Sequence, residues 1–171
     1  HTTFSKACQH FVYENGIKHL SVNENMVDSV RYLADEGFWI HILTARPDSC
    51  SKNYFDTFSW LIARGIPYHS ISFSHNKYES LSQQHFYKQG KLLYAVDDAP
   101  KNVEDYTKNG VNVLVPKRGY NQHLSETILG CMKFFDWEQQ PLPFTFPETI
   151  EEKMDKSVVK ITRAKHTISE F

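Results

Sequence analysis

The stretch Leu92-Leu93-Tyr94-Ala95-Val96-Asp97-Asp98-Ala99-Pro100 decides the fold. Five consecutive apolar residues read as a strand buried on both faces, and two carboxylates follow at once. Pro100 suits a first helical turn, so residues 101–109 are predicted helical, ending at Gly110. Val111 to Val115 is the next strand. Working backwards, residues 79–88 read as a helix and Ile71-Ser72-Phe73 as a short strand. Phe55, Phe58, Leu61 and Ile62 share one face of a helix over 52–64, which Gly65 ends. Phe38-Trp39-Ile40-His41-Ile42-Leu43 is a β-rich run that stops at Thr44-Ala45-Arg46-Pro47. Met26, Val27, Val30 and Leu33 line a helix over 23–36, with Gly37 as its C′ residue. Phe4, Ala7, Cys8, Phe11 and Val12 give residues 3–14 the same helical spacing. Helices and strands alternate four times. The expected fold class is therefore α/β, a three-layer Rossmann-like parallel sheet with helices on both faces.

Beyond Trp137 the pattern changes. Pro141, Pro143 and Pro147 fall within nine residues and read as an extended connector. Residues 148–170 place Met154, Val158 and Ile161 at helical spacing, a helix for the body of the protein or for a partner such as a second copy of the chain. The 171 residues are 40% apolar and 14% aromatic, enough for a real core and against disorder of the whole chain. With 19 basic and 20 acidic residues the net charge is −1, which argues against a polyanion-coating protein. Cys8, Cys50 and Cys131 form no CxxC pair and read as reduced thiols, hence a cytoplasmic setting. No apolar run reaches the ~20 residues of a membrane span.

In open parallel sheets, ligands bind beyond the carboxyl ends of the strands. Asp97 and Asp98 stand at one such end. Adjacent carboxylates repel, and a hard cation such as Mg²⁺ would relieve them. Alternatively one caps the helix at residue 101, a role that suits Asp98 better, and the other is solvated. Thr44 ends another strand. Its hydroxyl could hold a phosphoryl oxygen or merely close a turn. Lys77 and Arg46 could neutralise a phosphate or simply be solvated. Tyr120 and Asn121 fit either a substrate contact or a turn at Gly119. His41, His69, His75, His85 and His123 show no metal-ligand spacing.

Jointly these signals resemble the haloacid dehalogenase-like phosphohydrolases. Ile42-Leu43-Thr44-Ala45-Arg46-Pro47, then Lys77, then Tyr94-Ala95-Val96-Asp97-Asp98-Ala99-Pro100-Lys101-Asn102 match that family's second, third and fourth motifs in order. Trp60 to Tyr68 and Gly119-Tyr120-Asn121 look like its small nucleotidase and phage-type branches. The resemblance spans residues 3–125 and divides the chain into a cap helix region (1–22), a family-like core (23–137) and the connector with its C-terminal helix (138–171). It implies a phosphatase acting through an aspartyl-phosphate on a small phosphate ester, perhaps a nucleotide. Thr44, Lys77 and Asp98 would be catalytic. Thr44, Ala45, Arg46 and Lys77 would bind substrate, and Asp97 and Asp98 would hold Mg²⁺. A nucleic-acid end is the alternative substrate, and an inactive binding or regulatory domain the alternative class. A receiver domain also pairs acids with Thr and Lys, but its acidic pair comes early and its Lys last.

The family's first motif, a strand ending in Asp-x-Asp, is missing upstream of Thr44. Phe11-Val12-Tyr13-Glu14-Asn15-Gly16 is its nearest mimic. In the family that strand lies between those carrying the second and fourth motifs. The first residue is His rather than Met, so the expectation is that the strand precedes His1, with residues 1–20 as the end of a small helical cap. Without it the two strands on either side of it would face each other with unpaired edges.

Overall fold

A computed structural model describes residues 6, 10–11, 14–46, 51–124, 131–136 and 138. Besides the helical residues before position 14, five α-helices and five strands follow along the described chain. They are α1 (Glu24–Asp35), β1 (His41–Thr44), α2 (Ser51–Ala63), β2 (Ser70–Phe73), α3 (Lys77–Ser82), α4 (His85–Lys88), β3 (Ala95–Val96), α5 (Pro100–Lys108), β4 (Val113–Pro116) and β5 (Met132–Phe135). The fold is mixed α/β, and every strand pair is parallel.

Local chemistry sets the helix ends. The Asn23 side chain accepts from the Met26 backbone N–H at 2.9 Å and caps α1. At its other end Gly37 takes φ +86°, which lets the Phe38 N–H reach back to the Leu33 carbonyl at 2.9 Å and sends the chain towards β1. Gly110 does the same after α5 at φ +73°, with the Val111 N–H on the Tyr106 carbonyl. Both positions need a left-handed backbone, which glycine adopts without a Cβ penalty.

Two hydrophobic clusters hold the strands. Val113 and Val115 of β4 join Val103, Tyr106, Leu81, Val111, Leu124 and Met132 in one, with Leu43 and Ala95 against them. Leu114 joins Leu33 and Phe135 in the other, with Ile40 and Tyr94 alongside. Successive β4 side chains point to opposite faces, so this strand is buried on both. Each cluster takes residues from β1 or its lead-in and from β3 or its lead-in.

The strands form two sheets, β1-β2 and β3-β4-β5. Among the described residues, β1 and β3 each pair on one side only, and they do not pair with each other. β3 is correspondingly less buried than its apolar run suggests. Regular pairing covers only Ala95 and Val96, and Leu93 and Val96 are 38% and 40% exposed. A strand with one open edge cannot cover both faces of every residue.

Three other expectations change. β5 lies where the sequence predicts no element, because Met132-Lys133-Phe134-Phe135 carries a lysine and follows no alternating pattern. Residues 79–88 are two short helices, α3 and α4, separated at Gln83–Gln84. Phe11 is helical and Glu14 lies in a turn, its N–H on the His10 carbonyl, so the Asp-x-Asp mimic does not end a strand. Lys6 and His10 are helical as well. The rest of the 3–14 helix, Cys8, Cys50 and the 139–171 connector and helix lie outside the described residues. Cys131 is half-buried and free. Among the described residues no helix is long and apolar enough to cross a membrane.

Candidate functional site

The carboxyl ends of β1, β2 and β3 carry the polar residues that the sequence singles out. Thr44 is the last residue of β1. Its carbonyl accepts from the Ser74 N–H at 2.8 Å, which ties the turn after β1 to the one after β2. Its hydroxyl accepts from the Arg46 N–H at 3.3 Å, a long bond within its own turn. Ala45 is exposed in that turn.

Lys77 opens α3, four residues beyond β2. Asn76 caps this helix by accepting from the Glu79 N–H at 3.3 Å. The Lys77 ammonium reaches across to Asp97 at the end of β3, with Nζ 2.7 Å from Oδ2. The two side chains are 19% and 3% exposed. Asp97 is saturated: Oδ1 also accepts from the Ala99 N–H at 3.0 Å, and Asn102 Nδ2 lies 3.1 and 3.2 Å from the two oxygens. A buried carboxylate with this many donors is well compensated for its lost hydration. Its charge, after burial itself, helps hold the Tyr106 phenol above its ordinary range.

Asp98 turns elsewhere. Its Oδ2 accepts from the Tyr120 hydroxyl, and that bond holds the Tyr120 phenol above its usual range. The Asp98 carbonyl accepts from Asn121 Nδ2 at 3.0 Å. Asn121, fully buried, also donates to the Pro116 carbonyl and accepts from the Arg118 N–H. Asp98 therefore does not cap the helix that follows. α5 has Ala99 at its N-cap with no side-chain bond, and Asp97 supplies the local turn bond instead. Just beyond β3, the two acids take different partners: Lys77 and Asn102 for Asp97, and Tyr120 for Asp98.

Arg46 is placed away from this cluster. Its Nη1 donates to Thr57 Oγ1 at 3.0 Å, and the guanidinium lies 5.8 Å over the Trp60 ring. Its fork serves α2. Of the histidines, His41 Nδ1 is 2.7 Å from Ser70 Oγ, and His69 accepts from the Ile40 N–H while stacking on Trp39.

As a cation site, the chemistry of Asp97 and Asp98 suits a hard ion, since Mg²⁺ commonly takes one or two carboxylates and fills the rest with water and phosphate. Both carboxylates face other donors here. Among the described residues no group of three or more His, Cys, Asp or Glu side chains gathers.

The structure thus brings Lys77 and Asp97 together and places Thr44 at the same end of a neighbouring parallel pair. Two contributors were not singled out for their roles. Asn102, five residues past Asp97, is the third residue of α5; the helix start at Pro100 is legible in the sequence, but the reach of the Asn102 amide to both Asp97 oxygens is not. The link from Tyr120 to Asp98 spans 22 residues and has no local signal. Compared with known protein families, with curated proteins and with solved structures, the chain shows no match.

Proposed function

We propose that the chain is the phosphate-handling part of a Mg²⁺-dependent phosphomonoester hydrolase working through an aspartyl-phosphate, on a small phosphate ester such as a nucleotide. The observation that carries this is the Lys77–Asp97 ion pair at the carboxyl ends of parallel strands, with Thr44 at the neighbouring strand end. The order of these residues is the one that the haloacid dehalogenase-like resemblance implies. A single three-layer Rossmann-like sheet belongs to the same proposal.

In this reading the Thr44 hydroxyl, which accepts a 3.3 Å turn bond from the Arg46 N–H, donates its own proton to a phosphoryl oxygen. The Lys77 ammonium shares its charge between Asp97 and the phosphate, stabilising negative charge in the transition state. The metal ion, when bound, would supply further neutralisation of the phosphoryl oxygens; Asp97 would hold it in exchange for one of its present donors, with Asp98 in support while bonded to Tyr120. The attacking carboxylate would come from a strand pairing with the free edges of β1 and β3. Asp-x-Asp occurs nowhere in the 171 residues. The donors already gathered on Asp97 and Asp98 favour a second reading, a binding or regulatory domain that holds phosphate without turning it over.

Calorimetric titration of inorganic phosphate into the chain in Mg²⁺ tests the shared part of both readings. Thr44→Ala is expected to weaken binding roughly tenfold, as loss of one charge-assisted hydrogen bond implies. No binding, or equal binding in the variant, refutes the phosphate site. Hydrolysis of p-nitrophenyl phosphate by the chain preceded by a strand ending in Asp-x-Asp distinguishes the readings. Turnover there favours the hydrolase, and binding without turnover favours the regulatory domain.

A further inference from the structure

We propose that Tyr120 forms the wall of a subsite for a planar aromatic group, so that the phosphate site prefers aromatic phosphate compounds to aliphatic ones. This rests on the phosphate-binding reading above. Tyr120 lies in the short 3-10 turn Gly119–Asn121 after β4. The backbone on either side of it is fixed by Asn121, which is fully buried. Asn121 donates to the Pro116 carbonyl and the Asp98 carbonyl, both at 3.0 Å, and accepts from the Arg118 N–H at 2.9 Å. The far end of the Tyr120 side chain is fixed too, by the bond from its hydroxyl to Asp98 Oδ2.

The ring is thus held at both ends, across the space between the loops that follow β3 and β4. Asp98 is the immediate neighbour of Asp97, which carries Lys77. Despite two anchors, Tyr120 remains 58% exposed. A brace that served folding alone would gain from burying this ring, because apolar area left in water contributes nothing to stability. An exposed tyrosine ordinarily loses rotamer freedom when a ligand stacks on it. Here the bond to Asp98 already restricts that freedom, so the stacking energy is realised with less further ordering. A flat aromatic group attached to phosphorus is the ligand whose two parts match an ammonium-lined phosphate site and a fixed ring beside it.

The test compares phenylphosphonate with methylphosphonate, and both with inorganic phosphate, by calorimetric titration into the whole chain in Mg²⁺. The two phosphonates carry the same anionic head and differ only in the ring. Phenylphosphonate is expected to bind roughly fivefold or more tightly than methylphosphonate, as one aromatic stacking contact implies. In Tyr120→Leu the ratio of the two affinities should fall towards one. Tyr120→Phe keeps the ring and loses its anchor, so it should retain a smaller preference than the parent. Equal affinities in the parent, or an undiminished ratio in Tyr120→Leu, would overturn the subsite while leaving the phosphate site standing. Failure of all three probes to bind the parent refutes the phosphate site, and the subsite falls with it.

Discussion

Removing the Lys77 ammonium should cost the protein several kilocalories of stability, and a double-mutant cycle with Asp97 should show that most of this is one interaction. Asp97 is 3% exposed at its side chain, and Lys77 lies 2.7 Å from Oδ2. In Lys77→Met the carboxylate stays buried with only the Ala99 N–H and the Asn102 amide as donors. Breaking one side of a buried pair costs about 3–5 kcal/mol, and the 19% exposure of Lys77 lets water recover part of that. The expected loss is therefore about 2–4 kcal/mol. Asp97→Asn removes the charge but leaves the ammonium able to turn to solvent. It also sets one amide donor against the donors that the carboxylate accepted, so about 2 kcal/mol is expected. In the double variant neither charge is stranded. The combined loss should fall short of the sum of the single losses by ~1–3 kcal/mol. Urea unfolding at 25 °C, with midpoints converted through a common slope, measures all four corners. Additivity within ~0.5 kcal/mol would refute the assignment of the pair as a coupled, desolvated unit.

Asn121→Ala deletes three hydrogen bonds at a fully buried site and strands the Asp98 and Pro116 carbonyls, so thermal or urea unfolding should report a loss of ~3 kcal/mol. Gly110→Ala should cost ~1 kcal/mol through backbone strain alone, because φ is +73° and nothing lies within 4 Å of an added Cβ. Urea midpoints check this, and no loss would mean that the turn has relaxed. Burial pushes the Asp56 carboxyl up, but hydrogen bonds from Lys52 at 2.6 Å and from Lys18 at 3.2 Å outweigh it and hold it below its ordinary value. Its folded pKa is depressed, so its contribution is present above the unfolded value near ~4 and is lost as pH falls through the folded value. Asp56→Asn should therefore flatten the acid limb of a stability-against-pH curve, and an unchanged limb would contradict the assignment.

Helix periodicity was the most legible signal. Val27 and Leu33 of α1 fall where the 3.6-residue spacing places them, and Gly37 and Gly110 end their helices as their positions predict. Those features depend on residues within one or two turns of each other, so sequence spacing contains them. The polar ends of β1 and β3 were legible for the same reason. Apolar runs stop where the chain leaves the sheet, and Thr44 and Asp97 are the residues on which they stop. β5 was not legible, because its burial is decided by β4 beside it rather than by its own pattern.

Composition, spacing and turn chemistry by themselves determined an alternating α/β chain with polar residues at the ends of parallel strands, since each depends only on local periodicity and backbone preference. Only the tertiary structure decided what those polar residues do. It paired Lys77 with Asp97 across 20 residues, turned Asp98 to Tyr120 and sent Arg46 to Thr57 on α2. It also left β1 and β3 each with one open edge. A side chain's partner is fixed by which elements converge in space and by which groups burial deprives of water, and neither is written in the neighbouring residues.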